Sequence, residues 1–263
     1  MSDNIKNNRE PMTGDMSEVV AGRVAVSAAL DGGREINCLY IVRSAESAAL
    51  GTLMAKARAA GIVCKNVSRE KLDRLCPGVN HQGVAASMAA RAYAEIEDIL
   101  EAARKKEEAP LIVICELEDP HNLGAVIRTA EAAGAHGVII PKRRAVALTG
   151  AVAKAACGAL ESVPVARVTN LVDTVKRLKE QGLWIYGADM QGESWCGQDY
   201  CGPTALVIGS EGGGMSRLLK ENCDVLVSLP MYGKLSSLNA SVAAGIVLYE
   251  ITRVRHGIKS YNK

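Results

Sequence analysis

Short apolar runs alternate with segments of helical periodicity along most of this 263-residue chain. In the second half, Leu111–Leu117 is a nearly continuous apolar run, which is typical of a parallel strand buried on both faces. Further strands are predicted at residues 138–140, 163–168, 183–186, 205–208 and 225–229. Helices are predicted between and after them, at residues 123–133, 149–157, 171–181, 215–221 and 238–255. This alternation predicts a doubly wound α/β fold with a mostly parallel sheet and helices on both faces.

The first ninety residues repeat the alternation with shorter elements. Helices are predicted at residues 19–30, 45–60 and 68–76, and strands at residues 38–42, 62–64 and 84–89. We therefore expect a small separate α/β domain at residues 17–90, ahead of a larger domain at residues 109–263. Residues 1–16 are polar and aperiodic, so they are expected to form a disordered leader.

A charged, helix-forming segment precedes the larger domain and ends at Pro110. We expect the connection between the two domains to lie within residues 91–108. The same helix is equally suited to cover the second domain as a structural element.

Composition restricts the ways in which the chain can bind nucleic acid. The formal net charge is only +2, and the basic residues cluster at Arg104–Lys106 and Lys142–Arg144. Each cluster fits phosphate contact or a solvated surface patch equally well. The chain has no Phe, two Trp and seven Tyr, so it lacks the aromatic platforms on which single-strand readers stack bases. An RNA partner would therefore be held through phosphate, ribose and shape.

Cysteine usage and hydropathy predict a cytoplasmic protein without a metal site. The eight cysteines are scattered, and no second Cys or His pair with zinc-ligand spacing accompanies Cys196 and Cys201. The first residues lack the apolar core of a signal peptide, and no apolar run is long enough to span a membrane.

Three segments in the second half place polar residues beside glycines at the predicted carboxyl ends of strands. Open α/β sheets bind their ligands at this edge. Neither the dinucleotide-binding fingerprint nor a phosphate-binding Walker loop is present. The segments are Asp119-Pro120-His121-Asn122-Leu123-Gly124 with Arg128, Ile208–Gly214, and Pro230–Asn239.

Each segment also has a purely structural interpretation. The glycines after Ile208 predict a sharp turn with several positive φ angles, and Glu211 either serves the site or interacts with the dipole of the following helix. Asn122 taken alone is a helix cap, and Arg128 taken alone is a solvated helix residue. The polar residues within 236–241 exceed what one helix cap requires, which indicates a bound polar ligand.

Taken together, these motifs resemble the SpoU/TrmH family of RNA ribose 2′-O-methyltransferases within the SPOUT class. The resemblance covers residues 111–255 and includes the Lys154–Glu161 stretch, Gly209-Ser210-Glu211-Gly212 and Ser236–Ser241. The part that contains His81-Gln82-Gly83 resembles the ribosomal-protein-like RNA-binding domain of RlmB-type enzymes, which methylate a guanosine ribose in 23S ribosomal RNA.

The resemblance implies a fold, a cofactor and an assembly. The fold is the SPOUT type with a deep trefoil knot, and the methyl donor is S-adenosylmethionine. The cofactor is expected to contact Gly209, Leu229, Met231 and Leu238. A homodimer is expected, with the final helix near the interface and each site completed by the neighbouring subunit.

The resemblance also implies a catalytic set. Arg128 is expected to clamp a phosphate and stabilise the developing alkoxide, since a guanidinium hardly deprotonates. The proton of the 2′-hydroxyl then passes to a phosphate oxygen or to Glu211. The full set is Asn122, Arg128, Glu211, Ser237 and Asn239.

Several alternative functions remain open from the sequence. They are methylation of transfer RNA on the ribose or on a base, methylation of an adenosine ribose, and a non-catalytic role in RNA binding or assembly.

Overall fold

The structure is a computed structural model that describes residues 19–42 and 48–259. Contacts within the chain divide it into two compact units, one that ends at Met88 and one that begins at Ala89. The predicted leader at residues 1–16 lies outside the described residues.

The first unit contains a four-stranded mixed sheet in the order β1-β4-β2-β3. Strand β4 is antiparallel to both β1 and β2, whereas β3 is parallel to β2. The elements are β1 Val19–Ala21, α1 Arg23–Asp31, β2 Ile36–Val42, α2 Ala48–Ala59, β3 Val63–Val67, α3 Arg69–Leu75 and β4 Val84–Met88.

One element of this unit was predicted wrongly. Residues 19–30 were expected to form a single helix, but Val19–Ala21 is a strand that pairs with residues 85–87 of β4. Gly22 has a φ of +94°, which separates this strand from helix α1. The β-branched residues Val19 and Val20 suit a strand, and pairing with β4 decides their conformation.

The second unit contains a six-stranded, wholly parallel sheet in the order β10-β8-β9-β5-β6-β7. Its helices begin and end close to the predicted positions. The elements are α4 Ile96–Lys105, β5 Leu111–Cys115, α5 Pro120–Ala132, β6 Gly137–Pro141, α6 Gly150–Ala156, β7 Val165–Val168, α7 Leu171–Glu180, β8 Trp184–Ser194, β9 Thr204–Ile208, α8 Arg217–Asn222, β10 Val225–Ser228 and α9 Ala240–Arg255.

The central strands of this sheet are buried on both faces, as the continuous apolar runs predicted. Every residue of β5, β6 and β9 is buried. Leu111 and Val113 pack into a core that includes α5, α6 and α9, whereas Ile112 and Ile114 pack into a second core that includes α4, α7 and α8. Because side chains alternate along a strand, one apolar run supplies both cores.

The segment predicted as a connection contains helix α4. Ile96, Ile99, Leu100 and Ala103 on this helix are buried in the second of these cores. Ile99 lies so close to Gly137 that a Cβ on that glycine would stand 2.7 Å from its side chain. Helix α4 therefore packs on the parallel sheet of the second unit. This is the geometry of a structural cover, which the sequence analysis gave as the alternative to a connection between the domains.

The carboxyl ends of β5, β9 and β10 lie at the same edge of the parallel sheet, where the loops at residues 116–119, 209–216 and 229–239 leave it. Strand β8 is longer than predicted and extends along β10 to Ser194. Among residues 19–42 and 48–259, no helix is long and apolar enough to cross a membrane.

Candidate active site

A cavity of about 640 Å³ lies at this edge of the second unit. Its wall is formed by residues 188–191, 208–214, 227–229 and 236–240, together with Met231, Lys220 and two further residues of α9, Ala243 and Val247. All four residues predicted to contact the cofactor line the cavity: Gly209, Leu229, Met231 and Leu238. Three residues of the predicted catalytic set line it as well: Glu211, Ser237 and Asn239.

The glycine-rich loop after β9 closes tightly on itself. Ser210 N donates to Gly214 O at 3.1 Å, and Gly214 N donates to Ser210 O at 2.9 Å. A Cβ on Gly209 would lie 2.3 Å from both Gly214 C and Met215 N, so only glycine fits there without moving the backbone. The expectation of several positive φ angles was wrong: of these glycines, only Gly214 has one, at +62°. Close approach of backbone explains Gly209 instead.

The loop between β10 and α9 contains unpaired backbone, and residues 229, 231 and 236–238 of it line the cavity. Within the described chain, the N–H and C=O groups of residues 229–238 form no hydrogen bond with other backbone groups. The side chains of Leu229, Met231 and Leu238 line the same region. Apolar surface beside free donors and acceptors fits a flat heteroaromatic ring such as adenine, so these residues suit the nucleoside part of S-adenosylmethionine.

A polar network at the rim of this cavity joins the start of α5, the loop after β9 and the start of α9. Asn122 Nδ2 donates to Glu211 Oε1, and Asn239 Nδ2 donates to Asn122 Oδ1 at 3.0 Å. Ser241 Oγ lies 2.6 Å from Asn239 Oδ1 and 3.2 Å from Asn122 Oδ1. Residues separated by 89 and 117 positions in the sequence therefore form one cluster.

Helix caps hold two members of the network in place. Asp119 is the N-cap of α5 and accepts hydrogen bonds from His121 N and Asn122 N. The side chain of Asn122 is consequently free to face the network, so the interpretation of Asn122 as the helix cap was wrong. Asn239 caps α9 through Ser241 N and Val242 N and joins the network with its Nδ2 atom, so it does both tasks.

Arg128 does not belong to this network within one chain. Its Nη1 atom lies 3.6 Å from Sγ of Cys157, which ends α6 in a left-handed conformation. Six residues separate Asn122 from Arg128, so the two side chains point about 120° apart and lie about 9 Å apart along the helix axis. Ser237 lines the cavity but forms no hydrogen bond within the described residues.

The predicted set missed several polar residues of this region, three of which form contacts between side chains. Ser241 belongs to the network, and Asp189 and Lys220 form an ion pair in the cavity wall with 2.6 Å between Oδ2 and Nζ. Ser241 could have been identified from the polar cluster at the start of α9. Asp189 and Lys220 are 31 positions apart, and neither belongs to a recognised motif. The sequence therefore gave no indication that they form an ion pair.

The electrostatics of Asp189 depend on its partners. Burial alone raises the pKa of its carboxyl group, but hydrogen bonds from Lys220 and from Gln191 N, together with the charge of Lys220, outweigh burial and lower that pKa. Asp189 is therefore an anion at neutral pH.

Comparison with known families identifies both units. Residues 109–249 match the SpoU rRNA Methylase family, and residues 19–94 match the family described as RNA 2′-O ribose methyltransferase substrate binding. The first match covers more than half of the chain.

Individual relatives span nearly the whole chain. A TrmH family tRNA/rRNA methyltransferase, YacO, of Bacillus subtilis is 49% identical over 92% of this chain and 97% of its own length. The SpoU methyltransferase AviRb of Streptomyces viridochromogenes, solved in complex with AdoMet, has a TM-score of 0.56 and 29% identity over 91% of this chain and 90% of its own. An AdoMet-bound rRNA methyltransferase from Sinorhizobium meliloti has a TM-score of 0.56 and 26% identity over 92% and 88%.

These matches confirm the predicted fold class, a SPOUT-type α/β domain preceded by a small α/β domain, and the predicted methyl donor, S-adenosylmethionine. The chain therefore belongs to the SpoU family of RNA methyltransferases.

Proposed function

We propose that this enzyme transfers the methyl group of S-adenosylmethionine to the ribose 2′-hydroxyl of a guanosine in 23S ribosomal RNA. The observation that carries the proposed methyl transfer to a hydroxyl group is the network of Asn122, Glu211 and Asn239 at the rim of the cavity. The match of the first unit to a substrate-binding family of ribose 2′-O-methyltransferases supports the ribose as the acceptor.

The hydrogen bonds of Asn122 define what its side chain can offer to a substrate. Its amide oxygen accepts from Asn239 and lies within reach of Ser241, and one of its two amide N–H groups donates to Glu211. The second amide N–H has no partner among the described residues. We assign this N–H to a ribose oxygen of the substrate, which it would orient beside the cavity.

Glu211 is positioned to accept the proton of the 2′-hydroxyl. Its Oε1 atom is held by Asn122, whereas Oε2 has no partner in the described part of the chain. Bound S-adenosylmethionine supplies an electrophilic methyl carbon on its sulfonium. The protein has to align the hydroxyl and remove its proton, which the network and the free carboxylate oxygen would do.

The position of Arg128 supports a homodimer with shared sites. Because Arg128 points away from the network of its own chain, we propose that it clamps a substrate phosphate at the site of the neighbouring subunit. Helix α9 offers a face for such an interface: Val242 and Tyr249 are seven residues apart, lie on one side of the helix, and are 50% and 53% exposed.

Subunit mixing tests the shared site. Arg128→Lys and Glu211→Gln proteins, each strongly impaired alone, are expected to regain activity when their subunits are exchanged, because mixed dimers contain one intact composite site. Methyl transfer would be measured before and after exchange. A mixture that stays inactive although subunit exchange is demonstrated would place Arg128 in the site of its own chain.

The first unit presents a preorganised basic residue for RNA. Arg23 Nε donates to Gln82 O at 3.2 Å, and Gln82 Oε1 accepts from Arg23 N at 3.1 Å. The turn that holds Gln82 is fixed by the buried His81, which contacts Asp73 through Nε2 and Gly83 N through Nδ1. The terminal nitrogens of Arg23 have no partner among the described residues, so we propose that they bind the RNA backbone.

A pair of substitutions on this unit tests the assignment. Arg23→Ala is expected to raise the KM for ribosomal RNA roughly five- to tenfold and to leave the affinity for S-adenosylhomocysteine unchanged. Arg58→Ala, which removes an exposed arginine on α2, is the control and should have little effect. Equal effects of both changes would show that only net charge matters.

The choice between RNA classes is tested by methyl transfer itself. With labelled S-adenosylmethionine, we expect incorporation into unmodified 23S ribosomal RNA and none into bulk transfer RNA. Incorporation into transfer RNA alone would establish the competing function. Failure to label any RNA by an enzyme that binds the cofactor would favour the non-catalytic alternative.

A further inference from the structure

The ion pair between Asp189 and Lys220 lies in the wall of the cofactor cavity, and the proposed catalysis does not use it. Asp189 is located on β8 and Lys220 on α8. The Asp189 side chain is 10% exposed and the Lys220 side chain 34% exposed. The pair is thus partly buried and borders the cavity.

Hydrogen bonds fix the geometry of the pair. Lys220 Nζ lies 2.6 Å from Asp189 Oδ2, and Asp189 Oδ1 accepts from Gln191 N at 3.1 Å. An ammonium group has three N–H donors, and the ion pair occupies one of them. Lys220 therefore keeps donors available for a ligand in the cavity, and Asp189 restricts their direction.

The charges around the cavity indicate which ligand group Lys220 would bind. Among the described residues that line it, Asp189 and Glu211 are anionic and Lys220 is the cationic one. S-adenosylmethionine carries a positive sulfonium, a positive ammonium and a negative carboxylate. The carboxylate needs a cationic partner or water, and Lys220 is the side chain in the wall that can supply one.

We propose that Lys220, oriented by Asp189, binds the carboxylate of the methionine part of S-adenosylmethionine. This inference rests on the assignment of the cavity to the cofactor. It adds Lys220 to the cofactor-binding residues and makes Asp189 a positioning residue that acts through Lys220.

A second ion pair in the same unit provides a matched control. Lys179 Nζ lies 2.6 Å from Asp224 Oδ1, with side chains that are 37% and 21% exposed. The length of this pair and the exposure of its lysine are close to those of the first pair, but neither residue lines the cavity. If ligand affinity fell only because a partly buried ion pair was broken, the same fall in affinity should therefore appear in Lys179→Gln.

The experiment compares two ligands that differ in the amino-acid part. Calorimetry on the full chain measures binding of S-adenosylhomocysteine, which has the carboxylate, and of 5′-methylthioadenosine, which lacks the amino-acid part. Lys220→Gln is expected to lower the affinity for S-adenosylhomocysteine about tenfold. The affinity for 5′-methylthioadenosine should stay within about twofold of the value for the unchanged protein. Lys220→Arg should restore much of the lost affinity, and Lys179→Gln should change neither ligand.

Every other outcome overturns the proposal in a recognisable way. Equal weakening of both ligands in Lys220→Gln would mean that the pair only supports the fold of the wall. No weakening of either ligand would mean that Lys220 does not contact the cofactor. If the unchanged protein bound neither ligand, the assignment of the cavity itself would be wrong.

Discussion

Asn122, in the first turn of α5, connects the three segments of the proposed site. It contacts Glu211 from the loop after β9 and Asn239 from the loop before α9, while Asp119 fixes its backbone. Helix α5, which carries Asn122 in its first turn, and the loop of Glu211 follow adjacent parallel strands, β5 and β9, so a short amide side chain is enough to bridge them. The catalytic roles assigned to these residues remain predictions, which substitutions can test.

Arg128→Lys tests whether a planar guanidinium is required. A lysine ammonium keeps the charge but cannot form two parallel hydrogen bonds with a phosphate. We expect methyl transfer to fall about 100-fold, with unchanged affinity for S-adenosylhomocysteine. Arg217→Lys, at an exposed arginine on α8, is the control. Full turnover by the Arg128→Lys enzyme would refute the clamp.

Gly209→Ala tests the close contact within the glycine-rich loop. The added methyl group would lie 2.3 Å from backbone atoms of Gly214 and Met215, so the loop has to shift. We expect a loss of about 1–3 kcal/mol in the free energy of unfolding and weaker binding of S-adenosylhomocysteine.

Gly212→Ala in the same loop is the control, because a Cβ there meets nothing within 4 Å. Its free energy of unfolding should stay within about 0.5 kcal/mol of the unchanged protein. If urea unfolding gave equal losses of stability for the two variants, the close backbone contact at Gly209 would not be the cause of the loss.

At the scale of elements, the packing of α5 on α6 determines where Asn122 lies. A Cβ on Gly124 would stand 2.4 Å from Ala155 Cβ and 2.8 Å from Val152 O, so the two helices touch at this glycine. Gly124→Ala is expected to cost about 1–3 kcal/mol of stability and to lower methyl transfer, because α5 must move and carries Asn122 with it.

Gly51→Ala on α2 separates this effect from helix propensity. A Cβ at Gly51 meets nothing within 4 Å, so alanine should stabilise that helix by up to about 1 kcal/mol. Unfolding by urea and the rate of methyl transfer would be measured for both variants. Unaltered stability of Gly124→Ala would contradict the contact.

His136 makes the connection between α5 and β6 sensitive to acid. Its Nδ1 accepts from Leu111 N at 3.1 Å and its Nε2 contacts Glu108, so the neutral ring is the form that fits. Burial lowers the pKa of His136, and the hydrogen bond with Glu108 opposes this only in part. Protonation therefore favours the unfolded chain, and stability should fall as the pH drops below the unfolded value of about 6.5.

Protonation of His136 can lower the free energy of unfolding by at most about 1.4 kcal/mol per pH unit. This decline stops once the pH is below the pKa of His136 in the folded protein. His136→Asn keeps an acceptor for Leu111 N but does not titrate. Urea unfolding at pH 7.5, 6.5 and 5.5 should therefore show a smaller decline for this variant. An identical decline in both proteins would exclude His136 as the cause.

The elements of the second unit were predictable because its parallel strands are buried on both faces. Continuous apolar runs such as Leu111–Cys115 are a strong signal, and the intervening helices follow from their periodicity. Strand β1 could not be predicted because three residues gain their conformation only from pairing with β4. The length of β8 was missed for the same reason, since its polar second half pairs with β10.

At the scale of the whole molecule, the sequence placed the site at one edge of the sheet but did not show which side chains meet. The hydrogen bonds among Asn122, Glu211 and Asn239, and the pairing of Asp189 with Lys220, depend on the strand order, which is a tertiary property. The spacing of Asn122 and Arg128 on one helix already separates the two side chains, whereas the contact of Arg128 with Cys157 depends on the packing of α5 on α6.

The last helix contacts the rest of the second unit through one partly buried arginine. Arg255 donates to four backbone carbonyls, those of Ala109, Pro110, Tyr200 and Gly202. These carbonyls precede β5 and β9, the two central strands that lead to the site. The last residue of α9 therefore contacts the segments that lead into β5 and β9, the strands whose other ends lead to Asn122 and Glu211.

The most direct test of the central claim is the identity of the methylated nucleoside. Unmodified 23S ribosomal RNA would be treated with the enzyme and deuterated S-adenosylmethionine, digested to nucleosides and analysed by mass spectrometry. We predict 2′-O-methylguanosine that carries the deuterated methyl group, and none with Glu211→Gln. A deuterated methyl group on a base, with the ribose unmodified, would contradict the proposed chemistry.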